Sequence, residues 1–173
     1  GPVVRGTFSP ARAWRPAVDP ASTRTLGRTN PPLLTSTLSS SADMNTRPKP
    51  SAVIFAKNVE ALAQFYREVA EMSEVHKDKD HIVLDEAGFQ IVIHGIPKKI
   101  AEIIEITTPP EIREETPIKI CLPVSSIENA RTSASVLGGR IGAKGKEWSA
   151  RGFRACDGYD PEGNVFQVRE SAA

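Results

Sequence analysis

Two stretches of this chain, about residues 51–95 and 118–170, carry the same order of local signals, and that repetition constrains the fold more than any single motif. In the first, Ser51 to Ala56 reads as a strand, and Asn58 is placed to cap a helix in which Val59, Leu62, Ala63, Tyr66 and Val69 recur at helical spacing. His81 to Leu84 and Phe89 to His94 read as two further strands joined by a turn at Glu86-Ala87-Gly88, and Met72 to Val75 supplies a short additional one. In the second stretch, Ile118 to Val124 is a strand and Ser126 caps a helix carrying Ile127, Ala130, Ala134 and Leu137. Gly138-Gly139 ends that helix. Strands are then expected from Arg140-Ile141, over Phe153 to Cys156, and over Val165 to Arg169. A βαβββ unit occurring twice implies an internal duplication and an α+β fold.

The rest of the chain is less ordered in pattern. Residues 95–117 read as a connector, with a short helix over Lys98 to Ile106 stopped by Pro109-Pro110. Residues 1–47 are rich in Pro, Ser, Thr and Arg without a sustained period. Such a segment cannot bury enough apolar area to offset its ordering entropy, so it is expected to be a disordered extension. Gly1-Pro2 resembles the remnant of a cleaved affinity tag, no Met precedes Met44, and the Arg enrichment also fits a transit peptide. The domain is therefore expected to occupy residues 48–173. Net charge is +1, and the first 43 residues hold five Arg against two Asp, so the remainder is mildly acidic. That balance excludes a basic nucleic-acid-binding surface and recruitment to anionic membrane. No apolar run approaches the ~20 residues that span a bilayer. Cys121 and Cys156 are the only cysteines, too few for a disulfide framework, and are read as small buried thiols in a reducing, cytoplasmic compartment.

Near the C-terminus, Asp160-Pro161-Glu162-Gly163-Asn164 builds a tight turn: Pro fixes φ, Gly and Asn tolerate positive φ, and the Asp side chain can cap the turn backbone. With this turn, the helix Val59 to Tyr66 and the helix end Ala134 to Gly139, residues 51–170 resemble the vicinal oxygen chelate superfamily. That superfamily includes glyoxalase I, extradiol dioxygenases and the bleomycin-resistance proteins. The resemblance implies two βαβββ modules forming a curved mixed sheet around a cleft, and a homodimer. It also implies four strand positions at which catalytic members bind a divalent metal. Here these fall at Ser51, Val92, Lys119 and Gln167. Valine offers no lone pair, a protonated lysine repels a cation, and serine and glutamine are weak ligands without charged partners, so no metal cofactor is expected there. A register read two residues on would bring His94 into the last-strand position of the first module.

Alternation places Gln90, Val92 and His94 on one face of their strand and Val165, Gln167 and Arg169 on one face of theirs. By the resemblance these faces line the cleft, joined by Ser51, Val53 and Phe55 from one strand and Lys119 and Cys121 from another. Trp148 and Phe153, beside Gly152, resemble the aromatic segment that stacks on flat ligands in the resistance proteins. The lining is apolar with a few polar groups, the usual make-up of a small-molecule site. His94 is the candidate general base, or else a histidine hydrogen-bonded at the end of its strand. Lys119 is placed to meet an anionic ligand or to pair with a glutamate such as Glu170. His76 and His81 are expected to lie solvated in a charged turn, and Gly142 to Lys146, which lacks the spacing of a nucleotide loop, to form a hairpin rim. Two functions are expected from these residues. The first is metal-independent sequestration of a flat or aromatic molecule, as in the bleomycin-resistance proteins. The alternative is a lyase or dioxygenase of the glyoxalase or extradiol dioxygenase kind with displaced metal ligands.

Overall fold

The computed structural model describes residues 48–172, and the extension expected over residues 1–47 lies outside the described residues. The first module runs β1 (Ser51–Ala56), α1 (Val59–Val69), β2 (Ser73–Lys77), β3 (His81–Glu86) and β4 (Phe89–Gly95). Its sheet has the order β1-β4-β3-β2, with β1 parallel to β4 and the other pairs antiparallel. After a short helix α2 (Lys98–Ala101), the second module repeats the plan with β5 (Ile120–Pro123), α3 (Ile127–Val136), β6 (Arg140–Ile141), β7 (Trp148–Ala150), β8 (Phe153–Tyr159) and β9 (Val165–Ser171). Its sheet has the order β5-β9-β8-β6, with β7 added on β8. The strands thus sort into two mixed sheets, one for each expected module.

Register explains which residues are buried. Ile54, Ile93 and Ile82 lie side by side across β1, β4 and β3, as do Ala52, Ile91 and Leu84, and these rows turn toward α1. The alternate rows, Phe55-His94-His81, Val53-Val92-Val83 and Ser51-Gln90-Asp85, form the opposite face. In the second module Leu122, Val168 and Cys156 line the buried face, while Cys121, Gln167 and Asp157 share the other. Asn58 and Ser126 cap α1 and α3 as expected, accepting from Ala61 N and Asn129 N.

The two helices pack against each other and join the modules. Phe65 and Tyr66 of α1 meet Phe166 of β9 edge-on, with ring centres 5.7 and 5.8 Å apart, each fully buried side chain contributing about 1.5–3 kcal/mol. Gly139 is required here, since a Cβ on it would lie 2.5 Å from the Tyr159 carbonyl oxygen and against the Phe65 ring. The Asp160 turn is locked as its residue types dictate. Asp160 Oδ1 accepts from the backbone N–H groups of Glu162 and Asn164 at 2.9 and 3.0 Å, and Gly163 holds φ +82°. Tyr66 Oη donates to Asp160 Oδ2 at 2.8 Å, tying the turn to the first module.

Two carboxylates complete the junction reciprocally. Glu162 of the second module accepts from Lys57 N at 2.9 Å and Asn58 N at 2.7 Å, where α1 begins. Glu71 of the first module accepts from Ser125 N at 3.0 Å and from the Ser125 hydroxyl, just ahead of α3. Each helix N-terminus thus receives an anion from the other module, the favourable sign for its exposed N–H groups.

Several boundaries differ from expectation. The connector helix stops at Ala101 rather than Ile106; beyond it Ile103 is 78% exposed while Ile104 and Ile106 are half-buried from non-helical backbone, so no helical face is left to bury. Strand β5 starts at Ile120, two residues after the expected Ile118, and β8 continues to Tyr159, three residues past Cys156. The short strand expected at Met72 to Val75 runs from Ser73 to Lys77.

Candidate functional site

The outer face of the second sheet carries a continuous polar and aromatic row. Lys119, just before β5, reaches Asp157 on β8 with Nζ 2.8 Å from Oδ2. Asp157 Oδ1 accepts from Gln167 Nε2 at 2.9 Å, and Gln167 Oε1 accepts from Arg169 Nε at 2.8 Å. Arg169 Nη2 also approaches Cys121 Sγ at 3.1 Å. Burial pushes the Asp157 carboxyl up, but Lys119 and Gln167 together outweigh it and hold it below the usual carboxylate range. Lys119 therefore pairs with Asp157 and not with Glu170, whose carboxylate accepts from Ile127 N at 2.8 Å and pairs with Arg154.

Beyond Arg169 the row becomes aromatic. The Arg169 guanidinium lies 4.8 Å from the centre of the Phe153 ring and that of Arg151 5.6 Å from it, both within cation–π range. Trp148 meets Phe153 edge-on with ring centres 6.0 Å apart, and is 44% exposed. At the other end of the row, a groove of about 500 Å³ runs along Lys119, Asp157, Tyr159 and Val165 on the sheet and Ile112 and Ile118 of the connector. A second groove of about 620 Å³ borders the start of α1, where Glu162 is already engaged with the helix backbone.

The residues expected to line one cleft divide between the two sheets. Ser51, Val53, Phe55, Gln90, Val92 and His94 occupy the outer face of the first, where Val53 and Phe55 are more than half exposed. Lys119, Cys121, Gln167 and Arg169 lie on the second, with Phe153 and Trp148 at its end. His94 Nδ1 bonds to the Gly95 carbonyl oxygen at 2.9 Å, and its ring stacks on that of His81 with centres 5.8 Å apart. His81 is thus not free in a charged turn: it lies on β3 directly opposite His94, and His76 on β2 follows it with ring centres 5.2 Å apart. Gly142 to Lys146 contains a single 3₁₀ turn, Lys144–Lys146, between β6 and β7.

The paired modules agree with what comparison finds. The sequence matches the family model of the glyoxalase-like domain over residues 51–169. The chain belongs to the glyoxalase-like domain family. No curated protein matches it. Among solved structures, this glyoxalase-like domain is similar to a glyoxalase/bleomycin resistance protein/dioxygenase family enzyme from Burkholderia phytofirmans. The identity is 18% and the TM-score 0.51, with 70% of this chain and 96% of that one covered. A mutant of the fosfomycin resistance protein FosX from Listeria monocytogenes, complexed with Mn(II) and a dihydroxypropylphosphonic acid, gives 14% identity and a TM-score of 0.50. Coverage there is 73% of this chain and 91% of that one. These likenesses are of fold.

The glyoxalase-like domain's own residues do not fit a metal at the four positions named from the resemblance. Val92 has no donor atom, the Lys119 ammonium is held by Asp157, and both ends of the Gln167 amide are engaged, by Asp157 and Arg169. The strand pairings of the two modules correspond. Val53 pairs with Val92 as Cys121 pairs with Gln167, and Phe55 with His94 as Pro123 with Arg169. His94 and Arg169 are thus equivalent positions in the duplicated modules. Asp157 was not placed by the sequence because its strand was expected to end one residue earlier; alternation carried on from Ala155 would have set it on the outer face. Among the described residues no helix is long and apolar enough to cross a membrane.

Proposed function

We propose that this glyoxalase-like domain is a cytoplasmic small-molecule-binding protein that sequesters a flat aromatic ligand bearing an anionic group, without a metal at the four positions of the resemblance. The observation that carries the reading is the Trp148-Phe153-Arg169 shelf. It sets aromatic rings and guanidinium groups at one end of a Lys119-Asp157-Gln167 network that is already satisfied within the protein and that borders a groove at its other end. Aromatic faces stack on a planar ligand, and Arg151 and Arg169 supply positive charge for its anionic substituent. Because the network is closed on itself, binding leaves no orphaned polar group behind.

The open face of the first sheet, with Val53 54% and Phe55 58% exposed beside Val92, suits a second copy of the chain, and a homodimer would enclose the ligand more fully. The alternative, a glyoxalase- or dioxygenase-like metalloenzyme with displaced ligands, would need a Lewis acid to hold adjacent substrate oxygens. The donor set at the four positions does not supply one, so such a metal would have to be held by residues elsewhere in the domain.

The test is tryptophan fluorescence in a Trp14→Phe background, titrated with a panel of aromatic carboxylates and phosphonates with and without EDTA. Saturable quenching that survives EDTA and is lost in Phe153→Ala supports the proposal. Binding that disappears with EDTA, or no saturable binding across the panel, overturns it.

A further inference from the structure

The three histidines of the chain, His76, His81 and His94, come from three different strands and meet at one end of the first sheet. His81 and His94 are direct cross-strand partners on the same face, which brings their Cβ atoms to about 4.5–5.5 Å and lets both imidazoles address one ion. Two carboxylates approach His81 Nδ1, Asp78 Oδ1 at 3.2 Å and Asp80 Oδ1 at 3.6 Å; the ligand atoms of Asp80, His81 and His94 all lie within 4.8 Å of one another, as do those of His76, Asp78 and His81, and the first set holds two half-buried members against one in the second. Among the described residues Asp80 has no lysine or arginine partner, so its charge is not already neutralised. The ring of His94 is oriented as metal-binding histidines usually are: Nδ1 donates to the Gly95 carbonyl oxygen, leaving the Nε2 lone pair outward. His81 and His94 are partly buried, whereas His76 is 56% exposed in its side chain.

We infer that Asp80, His81 and His94 form a binding site for one divalent transition-metal ion, with His76 and Asp78 beside it and outside the first coordination sphere. Two imidazoles and a carboxylate select zinc, cobalt, nickel or copper over magnesium and calcium. Three protein ligands at a half-exposed end of the sheet leave a coordination position for water or another donor. The site involves none of Ser51, Val92, Lys119 and Gln167, and it lies on the first sheet, whereas the proposed ligand shelf lies on the second. The two therefore stand or fall separately.

The experiment uses the full chain stripped with EDTA and desalted, titrated with Zn(II) by calorimetry and with Co(II) by visible absorption. One ion per chain is expected, with a visible band from Co(II) and no heat from Mg(II). His81→Gln and His94→Gln should each weaken binding at least about tenfold, while His76→Gln leaves it in place. Circular dichroism should show each variant folded, and Asp80→Asn, at an exposed bend, should also weaken Zn(II) binding. Absence of saturable Zn(II) binding, equal binding of Mg(II), or retention of binding in both His81→Gln and His94→Gln overturns the site. Loss in His76→Gln alone overturns the ligand assignment.

Discussion

Glu162 is the residue whose replacement should reveal most about how the two modules hold together. Its carboxylate accepts two backbone N–H groups, Lys57 N at 2.9 Å and Asn58 N at 2.7 Å, and is 5% exposed. Hydrogen bonds to charged acceptors contribute about 1.5–3 kcal/mol each, and an anion at a helix N-terminus about 0.3–1 kcal/mol more. In Glu162→Gln the amide oxygen keeps one of the two donors, but the NH₂ group faces the other, so one bond and the charge are lost, for a cost of about 2–4 kcal/mol. Glu162→Ala loses both bonds; water reaching the partly buried N–H groups limits the cost to roughly 3–5 kcal/mol. Urea denaturation followed by circular dichroism is the assay. With a slope of about 1–3 kcal/mol per molar, the midpoint should fall by roughly 0.7 M or more in Glu162→Gln. Glu74→Gln, which removes only a surface pairing with Arg67, is the control and should change stability by less than about 0.5 kcal/mol. If Glu162→Gln behaves like that control, the reasoning about the junction is wrong.

Tyr66→Phe should cost about 1.5–3 kcal/mol in the same assay, toward the lower end because Asn164 Nδ2 still donates to Asp160 Oδ2 at 2.9 Å. Burial raises the Asp160 pKa, against the hydrogen bonds of Asn164 and Tyr66 that lower it, so the native state holds a proton more tightly than the unfolded chain does. The stability from this group is fully present below the unfolded value of about 3.9 and is lost as pH rises through the folded one. Urea midpoints of wild type and Asp160→Asn across weakly acidic pH should therefore diverge, the downward slope from this residue being absent in the variant. Gly139→Ala should destabilise by about 1–3 kcal/mol, since the new methyl meets the Tyr159 carbonyl and the Phe65 ring; a thermal melt unchanged from wild type would show that the helix junction yields. Arg169→Lys should weaken binding of an anionic aromatic probe in a fluorescence titration, because a lysine lacks the planar group that lies over Phe153 and bonds to Gln167.

The duplication was legible because each module writes its strands in period two and its helix in period 3.6, with a cap residue at each helix start. Asn58, Ser126 and the Asp160 turn are local chemistry, and the structure uses them as the residue types require. What the sequence did not disclose depends on long-range register. The middle residue of the turn motif, Glu162, reads as a variable position, yet its carboxylate closes a contact with residues more than 100 positions earlier. The pairing of Lys119 with Asp157 was hidden by a strand boundary, and boundaries are the least determined part of any local pattern. The histidines are 5 and 13 residues apart in the chain, spacings that announce no chelating motif; only the pairing of β3 with β4 and of β2 with β3 brings them side by side.

The reciprocal carboxylates at the junction also bear on the order in which this chain can assemble. Helix α1 is near the start of the domain, but the anion that completes its N-terminus is near the end, so during synthesis that helix waits for nearly the whole domain to emerge. Contacts of such sequence separation slow folding, because the entropy of closing the intervening loop is lost before the contact returns anything. An early first module would therefore start α1 with its own Asn58 cap alone, and Lys57 N and Asn58 N would exchange water for the Glu162 carboxylate only on docking with its duplicate.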